Sequence, residues 1–388
     1  MKKKWIIIIV ISTLVLIVVS LVFGLLFLFK KKVGDIRPAI LPALKPKVGQ
    51  TIDYLKLPAG YKIGIFANDL GNARDLVFSP NGILLVSATE NGQIIAVADK
   101  NSDGTSDENK VILSGLNRPH GLAFYLGKLY VAQETKLTRY NFDENSLVAT
   151  KDKDIMDLPA GGQHFTRTIV FRDNQMYVSI GSTCDVCLEK NPFNASVIVV
   201  DPEGNNPKVY AKGLRNAVFM ILNDKTNQIW ATEMGRDFLG DDLPPDEINI
   251  LLPGDYGWPY CYGNKVVDNK FNAKANCGGT TSPVYEIPAH SAPLGLVFID
   301  STQFSMDEQG NLLVAYHGSW NRSTPIGYKV VKLKVDGDKI NSSEDFITGF
   351  LQGSQVIGRP VDLAFDPAGS LYLSDDRAGV VYKIIKAN

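Results

Sequence analysis

The stretch RDLVFSPNGILLVSATENGQIIAVAD, residues 74–99, contains an apolar run, a turn with Pro80 and Gly82, a second apolar run, a polar loop and a third apolar run. Short apolar runs separated by such turns are typical of antiparallel strands. The same order returns five more times, in stretches that begin at His120, Arg167, Phe219, Leu294 and Val361. The sequence is therefore built on one repeated unit of strands.

The spacing of the units predicts the architecture. A large apolar residue marks the first strand of each unit, at Phe78, Phe124, Phe171, Leu222, Phe298 and Phe365. The first three spacings are 46, 47 and 51 residues, close to the ~40–50 residues of a propeller blade. Six units predict an all-β, six-bladed β-propeller, in which the strand-like segment 60–69 completes the last blade and hides its edge. A β-sandwich is the competing all-β fold, but six copies of one unit argue against it.

The N-terminus differs from the rest of the chain. Residues 5–29 carry no charge and are flanked by lysines at 2–4 and 30–32. A helix of that length, at ~1.5 Å per residue, spans a hydrocarbon core of about 30 Å. We expect an uncleaved N-terminal transmembrane helix over residues 1–32, with a cleaved signal peptide as the alternative. Residues 33–52, with three prolines, are expected to form an extended tether, and residues 53–388 the propeller.

Charge and cysteine content narrow the function and the compartment. The net charge of −1, with both signs mixed along the chain, excludes the basic face of a nucleic-acid-binding protein. The spacing of the four cysteines suits zinc poorly and favours the disulfides Cys184–Cys187 and Cys261–Cys277, with four reduced cysteines as the alternative. Disulfides persist outside the cytosol, so we expect a membrane-anchored protein with an extracytoplasmic body.

The repeat predicts a pocket. In a propeller the first strand of each blade lines the central channel, so residues just ahead of these strands gather at one channel mouth. These positions hold Arg74, His120, His164, Arg167, Arg215, Asn216, His290 and Arg359. Arginines gathered with few acids indicate an anionic ligand, and a histidine among them can serve as a general base.

A second group of polar residues lies in a Gly- and Pro-rich stretch, residues 231–264. It contains Asp237, Asp241, Asp242, Asp246, Glu247 and Asp255. Hard oxygen ligands at irregular spacing suit Ca²⁺, and a solvated surface loop is the alternative.

Five stretches carry a resemblance to a known family. They are HFTRTIVF (164–171), GLRNAVFMIL (213–222), GRDFLGDDLPPDEINIL (235–251), YHGSWNRSTPIGYKV (316–330) and GRPVDLAFDPAGSLYLSDD (358–376). In this order, over residues 60–388, they resemble the soluble sugar dehydrogenases that depend on pyrroloquinoline quinone (PQQ), and especially their sorbosone-dehydrogenase-like branch. These are six-bladed propellers.

The resemblance implies a reaction and a set of site residues. His164 would take the proton from the hydroxyl of an aldose, sugar aldehyde or related alcohol while hydride passes to Ca²⁺-bound PQQ, and a quinone or cytochrome would then accept the electrons. The residues expected to bind PQQ are Arg215, Asn216, Arg359, His317, Trp320, Arg322, His120 and Arg167. The carbonyls of Gly235 and Arg236 would hold the Ca²⁺ of the cofactor, and Glu247 with the neighbourhood of Tyr256 a second, structural Ca²⁺.

Two departures from the family pattern concern the base. Ser182 stands where the family has the aspartate that orients the histidine, and Gln163 stands where it has an acidic residue; Asp185 is a candidate substitute. These departures keep two other functions open. One is a propeller without PQQ that binds carbohydrate or protein, and the other is a metal-dependent, lactonase-like hydrolase. A hydrolase needs acidic and amide ligands in the channel, whereas the predicted mouth residues are mainly cationic.

Overall fold

The computed structural model describes residues 47–50, 52–271 and 275–387. The chain divides into two units, residues 1–38 and 39–388, and the first lies wholly outside the described residues. The predicted transmembrane helix and most of the predicted tether therefore fall outside this description. Among the described residues, no helix is long and apolar enough to cross a membrane.

Six sheets, each built on four antiparallel strands, account for most of the described chain, and the third of them has a short fifth strand. The first blade contains β2 (Ala73–Phe78), β3 (Leu84–Ala88), β4 (Gln93–Ala98) and β5 (Glu108–Leu113). The second contains β6 (Leu122–Tyr125), β7 (Lys128–Ala132), β8 (Lys136–Asp143) and β9 (Val148–Asp157). The third contains β10 (Ile169–Arg172), β11 (Gln175–Ile180), β12 (Ser196–Val200) and β13 (Lys208–Lys212).

The remaining blades follow the same order. The fourth contains β14 (Met220–Asn223), β15 (Gln228–Glu233), β16 (Asp246–Leu251) and β20 (Tyr285–Ile287). The fifth contains β21 (Pro293–Phe298), β22 (Leu312–Tyr316), β23 (Lys329–Asp336) and β24 (Lys339–Ile347). The sixth contains β27 (Pro360–Phe365), β28 (Leu371–Asp375), β29 (Val380–Lys386) and β1 (Tyr61–Ala67). The short elements between them are β17 (Gly254–Asp255), β18 (Cys261–Tyr262), β19 (Val266–Val267), β25 (Leu351–Gln352), β26 (Gln355–Val356) and a 3₁₀ turn at Cys277–Gly279.

The blades form a closed ring. First strands of consecutive blades contact one another all the way round, from β2 through β6, β10, β14, β21 and β27 back to β2. The seam lies in the sixth blade, where β1 pairs antiparallel with β29 and places Tyr61 opposite Lys386. The six-bladed propeller, the strand content of segment 60–69 and its place in the last blade are thus confirmed.

The core lies between adjacent blades. Val170 and Tyr177 of the third blade, for example, pack with Met220 and Ile229 of the fourth in one buried cluster. This packing uses the apolar face that each strand presents to the neighbouring sheet, which explains why every unit carries the same apolar runs.

Two insertions reach over the third and fourth blades, and each contains a disulfide. Cys184 and Cys187 are bonded in the connection from β11 to β12, and Cys261 and Cys277 in the segment that follows β16. The second segment also adds β17 to the edge of the third blade, parallel to β13. Both predicted disulfides are confirmed, and the four cysteines leave no free thiol.

Candidate active site

A cavity of about 200 Å³ opens where the third, fourth and fifth blades meet. Its lining consists of His164, Arg215, Asn216, Met234, Gly235, Asp237, Asp246, His290, Ala292, Trp320 and Asn321. Four of these, His164, Arg215, Asn216 and His290, come from the segments just ahead of β10, β14 and β21. The structure therefore brings together the predicted mouth residues of three consecutive blades.

The imidazole of His164 is held from one side only. Its Nδ1 lies 3.0 Å from the carbonyl oxygen of Ser182 and 2.9 Å from Ser182 Oγ. The serine hydroxyl donates its own proton to the carbonyl of Cys184 at 2.6 Å, so both serine oxygens act as acceptors toward the ring. Nδ1 therefore carries the hydrogen, and the lone pair of Nε2 is available in the cavity.

The surroundings keep this ring neutral. Burial, and then the nearby positive charge of Arg215, lower the pKa of His164 to about 3. Ser182, the residue that contacts Nδ1, brings no charge that would raise this pKa. Asp185 does not substitute for the aspartate, because its carboxylate binds Arg215 and the backbone N–H of Asp237.

Replacing Ser182 by aspartate should move the pH dependence of turnover. If His164 is a general base, it acts only while neutral, so activity should fall as pH drops through its pKa. A carboxylate beside Nδ1 raises this pKa by roughly 1–3 units, so Ser182→Asp should shift the acidic limb of kcat/KM upward by that amount. Ser182→Asn, which adds no charge, is the matched control and should leave the limb in place. An unshifted limb in Ser182→Asp would show that His164 is not the titrating group.

Arg215 projects from the segment ahead of β14 into a group of acids. Its Nη2 lies 2.9 Å from Asp185 Oδ1 and 3.1 Å from Asp237 Oδ2. Arg236 is similarly paired with Asp268, at 2.8 Å. The expectation that arginines gather here with few acids is wrong. The two insertions supply the carboxylates of Asp185 and Asp268, and the connection from β15 to β16 supplies that of Asp237.

Three predicted residues form a second group, which does not line the 200 Å³ cavity. Asp376 accepts hydrogen bonds from Arg74 at 2.7 Å and from His317 Nε2 at 2.9 Å. The guanidinium of Arg359 donates to the carbonyls of His317 and Gly318, at 3.2 and 2.7 Å. Burial and Arg359 lower the pKa of His317 to about 4. Sequence reasoning missed Asp376, although the doubled aspartate at the end of LSDD was a visible signal.

His120 and Arg167 are buried beneath the mouth. His120 is 0% exposed and its ring packs edge-on against Phe219, with ring centroids 4.9 Å apart. Arg167 is 1% exposed and donates to the carbonyls of Pro159, His164 and Thr166. The structure does not bring either side chain to the cavity, because the chain turns inward at these positions. Arg167 instead fixes the backbone that carries His164.

The predicted residues of segment 316–330 separate from one another. Trp320 lines the cavity, is 51% exposed and lies edge-on to Phe238 with ring centroids 5.8 Å apart. Arg322 points away to the loop of the fourth blade, where it donates to the carbonyl of Asp241 and pairs with the carboxylate of Asp242. Arg322 therefore joins two loops of the rim.

The predicted metal-binding residues surround a second, smaller cavity of about 20 Å³. Gly235 lines both cavities, whereas Arg236, Glu247 and Tyr256 line only the smaller one. Glu233, which sequence reasoning missed, lies directly opposite Glu247 in the pairing of β15 with β16. Burial raises the pKa of both glutamates. The hydroxyl of Tyr256 donates to the carbonyl of Ile250 at 2.7 Å, so its proton is bound to the backbone.

Comparisons with known proteins agree with this architecture. Residues 55–387 match the TrAA12-like family. An uncharacterized protein of Borreliella burgdorferi is 30% identical, over 85% of this chain and 90% of that protein. A pyrroloquinoline quinone-dependent pyranose dehydrogenase of Coprinopsis cinerea is 24% identical over 84% of this chain. The matched region covers only 54% of that enzyme, so this chain spans about half of its length.

Solved structures show the same fold. The calcium structure of the Trichoderma reesei Carbohydrate-Active Enzymes Family AA12 protein superimposes with a TM-score of 0.77 at 19% identity, over 90% of this chain and 100% of that one. The family match spans all six blades. The chain therefore belongs to the TrAA12-like family.

Proposed function

We propose that the protein is a PQQ-dependent sugar dehydrogenase that oxidises an aldose, a sugar aldehyde or a related alcohol. The observation that carries this proposal is the neutral His164, with Nε2 available in a cavity shared with Arg215 and Asn216. Family membership supports it, since the Coprinopsis cinerea relative is a PQQ-dependent pyranose dehydrogenase.

The residues of the larger cavity fit PQQ. PQQ carries three carboxylates and a quinone, so it needs cations and hydrogen-bond partners. Asn216 is 7% exposed, and its Oδ1 has no partner among the described residues although it is buried beside the cavity. A buried, unpaired polar atom costs roughly 1–3 kcal/mol, which a ligand group or an ordered water would recover. Arg215 and Asn216 are therefore the residues that we expect to hold the cofactor.

The environment of Gly235 and Arg236 fits Ca²⁺. Among the described residues, none donates a hydrogen bond to the carbonyl oxygen of either one. The two arginines here, Arg215 and Arg236, face three carboxylates, from Asp185, Asp237 and Asp268. Free carbonyl oxygens and a surplus of negative charge are what a hard divalent cation requires.

The proposed mechanism uses His164 as the base. Nε2 accepts the proton of the substrate hydroxyl, and the two oxygens of Ser182 stabilise the resulting imidazolium through Nδ1–H. When bound, PQQ supplies the acceptor for the hydride that leaves the same carbon, with Ca²⁺ polarising its quinone. Trp320 and Asn321 line the open side of the cavity, where a sugar would enter.

We further propose that Glu247, with Glu233, holds a structural Ca²⁺ in the smaller cavity. Chelation with EGTA should lower the Tm of the PQQ-free protein, because Ca²⁺ at about 100 times its Kd adds about 2.7 kcal/mol to folding. Glu247→Gln should abolish this dependence of Tm on Ca²⁺. Glu286→Gln is the matched control, since Glu286 neighbours Glu247 across β16 and β20 but does not line the cavity. If the Tm of the unmodified protein is the same with and without Ca²⁺, the proposal is contradicted.

Reconstitution tests the function itself. The full-length protein, purified in detergent, is titrated with PQQ in the presence of Ca²⁺ and followed by the absorbance of the bound quinone. It is then assayed for dye reduction with aldopentoses, aldohexoses and sugar aldehydes. A quinone signal and sugar-dependent dye reduction are expected. Absence of both would favour a propeller that binds carbohydrate or protein without PQQ.

We also propose that the protein is anchored in a membrane with its propeller outside the cytoplasm. The uncharged residues 5–29 and the two disulfides support this arrangement. The electrons would then pass to a quinone or cytochrome at the same membrane. The propeller would then lie at the cell surface or in the periplasm. A protease added to spheroplasts, whose cytoplasmic membrane is intact, should digest it, and protection that lasts until this membrane is lysed would contradict the proposal.

A further inference from the structure

A four-residue loop, residues 184–187, lies directly beside the candidate active site. It follows β11 and is closed by the disulfide between Cys184 and Cys187, whose two cysteines are half-buried. Only two residues lie between the bonded cysteines, so the bridge acts on local geometry rather than on the overall chain. Asp185, the first of these two residues, has a side chain that is only 18% exposed.

Asp185 binds several parts of the site at once. Its Oδ1 accepts from Arg215 Nη2 at 2.9 Å and from the backbone N–H of Asp237 at 2.8 Å. Its carbonyl accepts from Arg215 Nε at 3.0 Å and from Trp258 Nε1 at 3.1 Å. The loop therefore connects the cation that faces the cavity with the segment after β15 and with the insertion of the fourth blade.

The same loop also reaches the base. Ser182 Oγ donates to the carbonyl of Cys184, and this bond fixes the hydroxyl that accepts from His164 Nδ1. A shift of Cys184 would release the hydroxyl of Ser182, and the imidazole of His164 would then lose one of the two contacts that orient it. One short covalent ring thus holds groups on both sides of the cavity, and no other described residue contacts Arg215, the N–H of Asp237 and Trp258 Nε1 together.

We propose that Asp185 is a positioning residue for Arg215, and that the Cys184–Cys187 disulfide is a redox-sensitive latch that keeps Asp185 in place. The inference rests on the proposed PQQ-dependent function. Opening the latch needs a thiol reductant: two thiols of a dithiol give up two electrons and form a disulfide, the Cys184–Cys187 bond breaks, and each sulfur takes one proton. The released loop then no longer holds Arg215 or the carbonyl of Cys184.

The first test measures PQQ affinity of the full-length protein in Ca²⁺, by absorbance titration. Asp185→Ala and the double variant Cys184→Ser/Cys187→Ser should each raise the Kd about tenfold or more, the usual effect of losing a charge-assisted contact. The triple variant, which combines Asp185→Ala with both cysteine changes, should have a Kd no higher than the higher of these two values, because both changes remove the same contacts. Additive losses would overturn the latch, and an unchanged Kd in Asp185→Ala would overturn the positioning role.

Two controls make the result specific. Asp152→Ala removes a carboxylate that pairs with Arg139 at 2.6 Å in the second blade, and it should leave the Kd unchanged. Protein that is reduced with dithiothreitol, alkylated, and freed of the dithiol before titration, because a dithiol also reduces a quinone, should bind PQQ more weakly than the unmodified protein, whereas the same treatment should have no further effect on Cys184→Ser/Cys187→Ser. A further loss of PQQ affinity in this double variant would show that reduction acts through the Cys261–Cys277 disulfide instead.

The second test needs no cofactor. Hydrogen exchange of the PQQ-free protein should become faster in peptides that contain the amide of Asp237 after reduction, and equally in oxidised Asp185→Ala. An exchange rate that is unchanged both by reduction and by Asp185→Ala would overturn the inference. If the unmodified protein fails to bind PQQ, the proposed function fails, whereas the exchange measurement still decides whether the loop is a latch.

Discussion

His164→Ala is expected to lower turnover with any accepted sugar by about 10²–10⁴-fold, the usual contribution of a general base, while the affinity for PQQ stays close to that of the unmodified protein. The other acids of the cavity are already engaged: the two oxygens of Asp246 accept the N–H groups of Gly235 and Ala292, each at 2.9 Å. Neither acid of the cavity is therefore placed to take over the proton, and His290→Ala separates the other cavity histidine, whose Nε2 lies 2.8 Å from the carbonyl oxygen of Gly240, from this role. Dye-reduction rates at saturating PQQ measure the effect, and added imidazole should restore part of the rate.

His317 provides the sharpest contrast, because its ring is paired with a carboxylate. Its Nε2 binds Asp376, at 2.9 Å, in the group formed with Arg74. If His164→Ala kept full turnover while His317→Ala abolished it, the base would be His317, oriented by Asp376, and the proton would leave on the side of the sixth blade. Loss of PQQ binding in His164→Ala would instead indicate a role in holding the cofactor.

Arg215→Ala should act on binding rather than on the chemical step. The change removes a cation from the cavity and leaves the carboxylates of Asp185 and Asp237 without their partner, so an anionic cofactor meets a more negative site. A lost charge-assisted contact costs roughly 1.5–3 kcal/mol, which corresponds to an increase in the Kd for PQQ of about 10- to 150-fold. Absorbance titration measures this Kd, and turnover at saturating PQQ should fall far less.

Two variants test this explanation. Arg215→Lys keeps the charge without the planar fork and should recover part of the affinity. Arg139→Ala is the matched control, because Arg139 also binds two acids, Asp152 and Glu203, but lies in the second blade. Equal losses in Arg139→Ala and Arg215→Ala would indicate a general effect on the fold.

The propeller was predictable because its information is local and repeated. Each blade consists of consecutive strands with turns between them. The regular spacing of Phe78, Phe124 and Phe171 therefore predicts the repeat unit without knowledge of any long-range contact. Closure through segment 60–69 followed from the same logic, since an unpaired edge in the sixth blade needs a partner.

The partners of the site residues were not predictable in the same way. His164, Arg215 and Asn216 occupy equivalent positions in the repeat, and the fold brings them together. Their neighbours Asp185 and Asp268 come from the insertions and Asp237 from the connection between β15 and β16, and no periodicity predicts the direction of these loops. For the same reason the sequence could not show that His120 and Arg167 point inward, or that Glu233 faces Glu247 across two strands.

The seam between β1 and β29 has a consequence for how the molecule assembles. Within the blades every other strand pairs with its neighbour along the chain or nearly so, whereas Tyr61 meets Lys386 only after almost the whole described chain has intervened. Closing so long a loop is entropically costly and contributes little until the last blade is formed. The pairings between consecutive strands can therefore form before the seam, which is expected to form last in refolding and to open first under mild denaturation. Protection of the amides of β1 would then report the integrity of the whole ring.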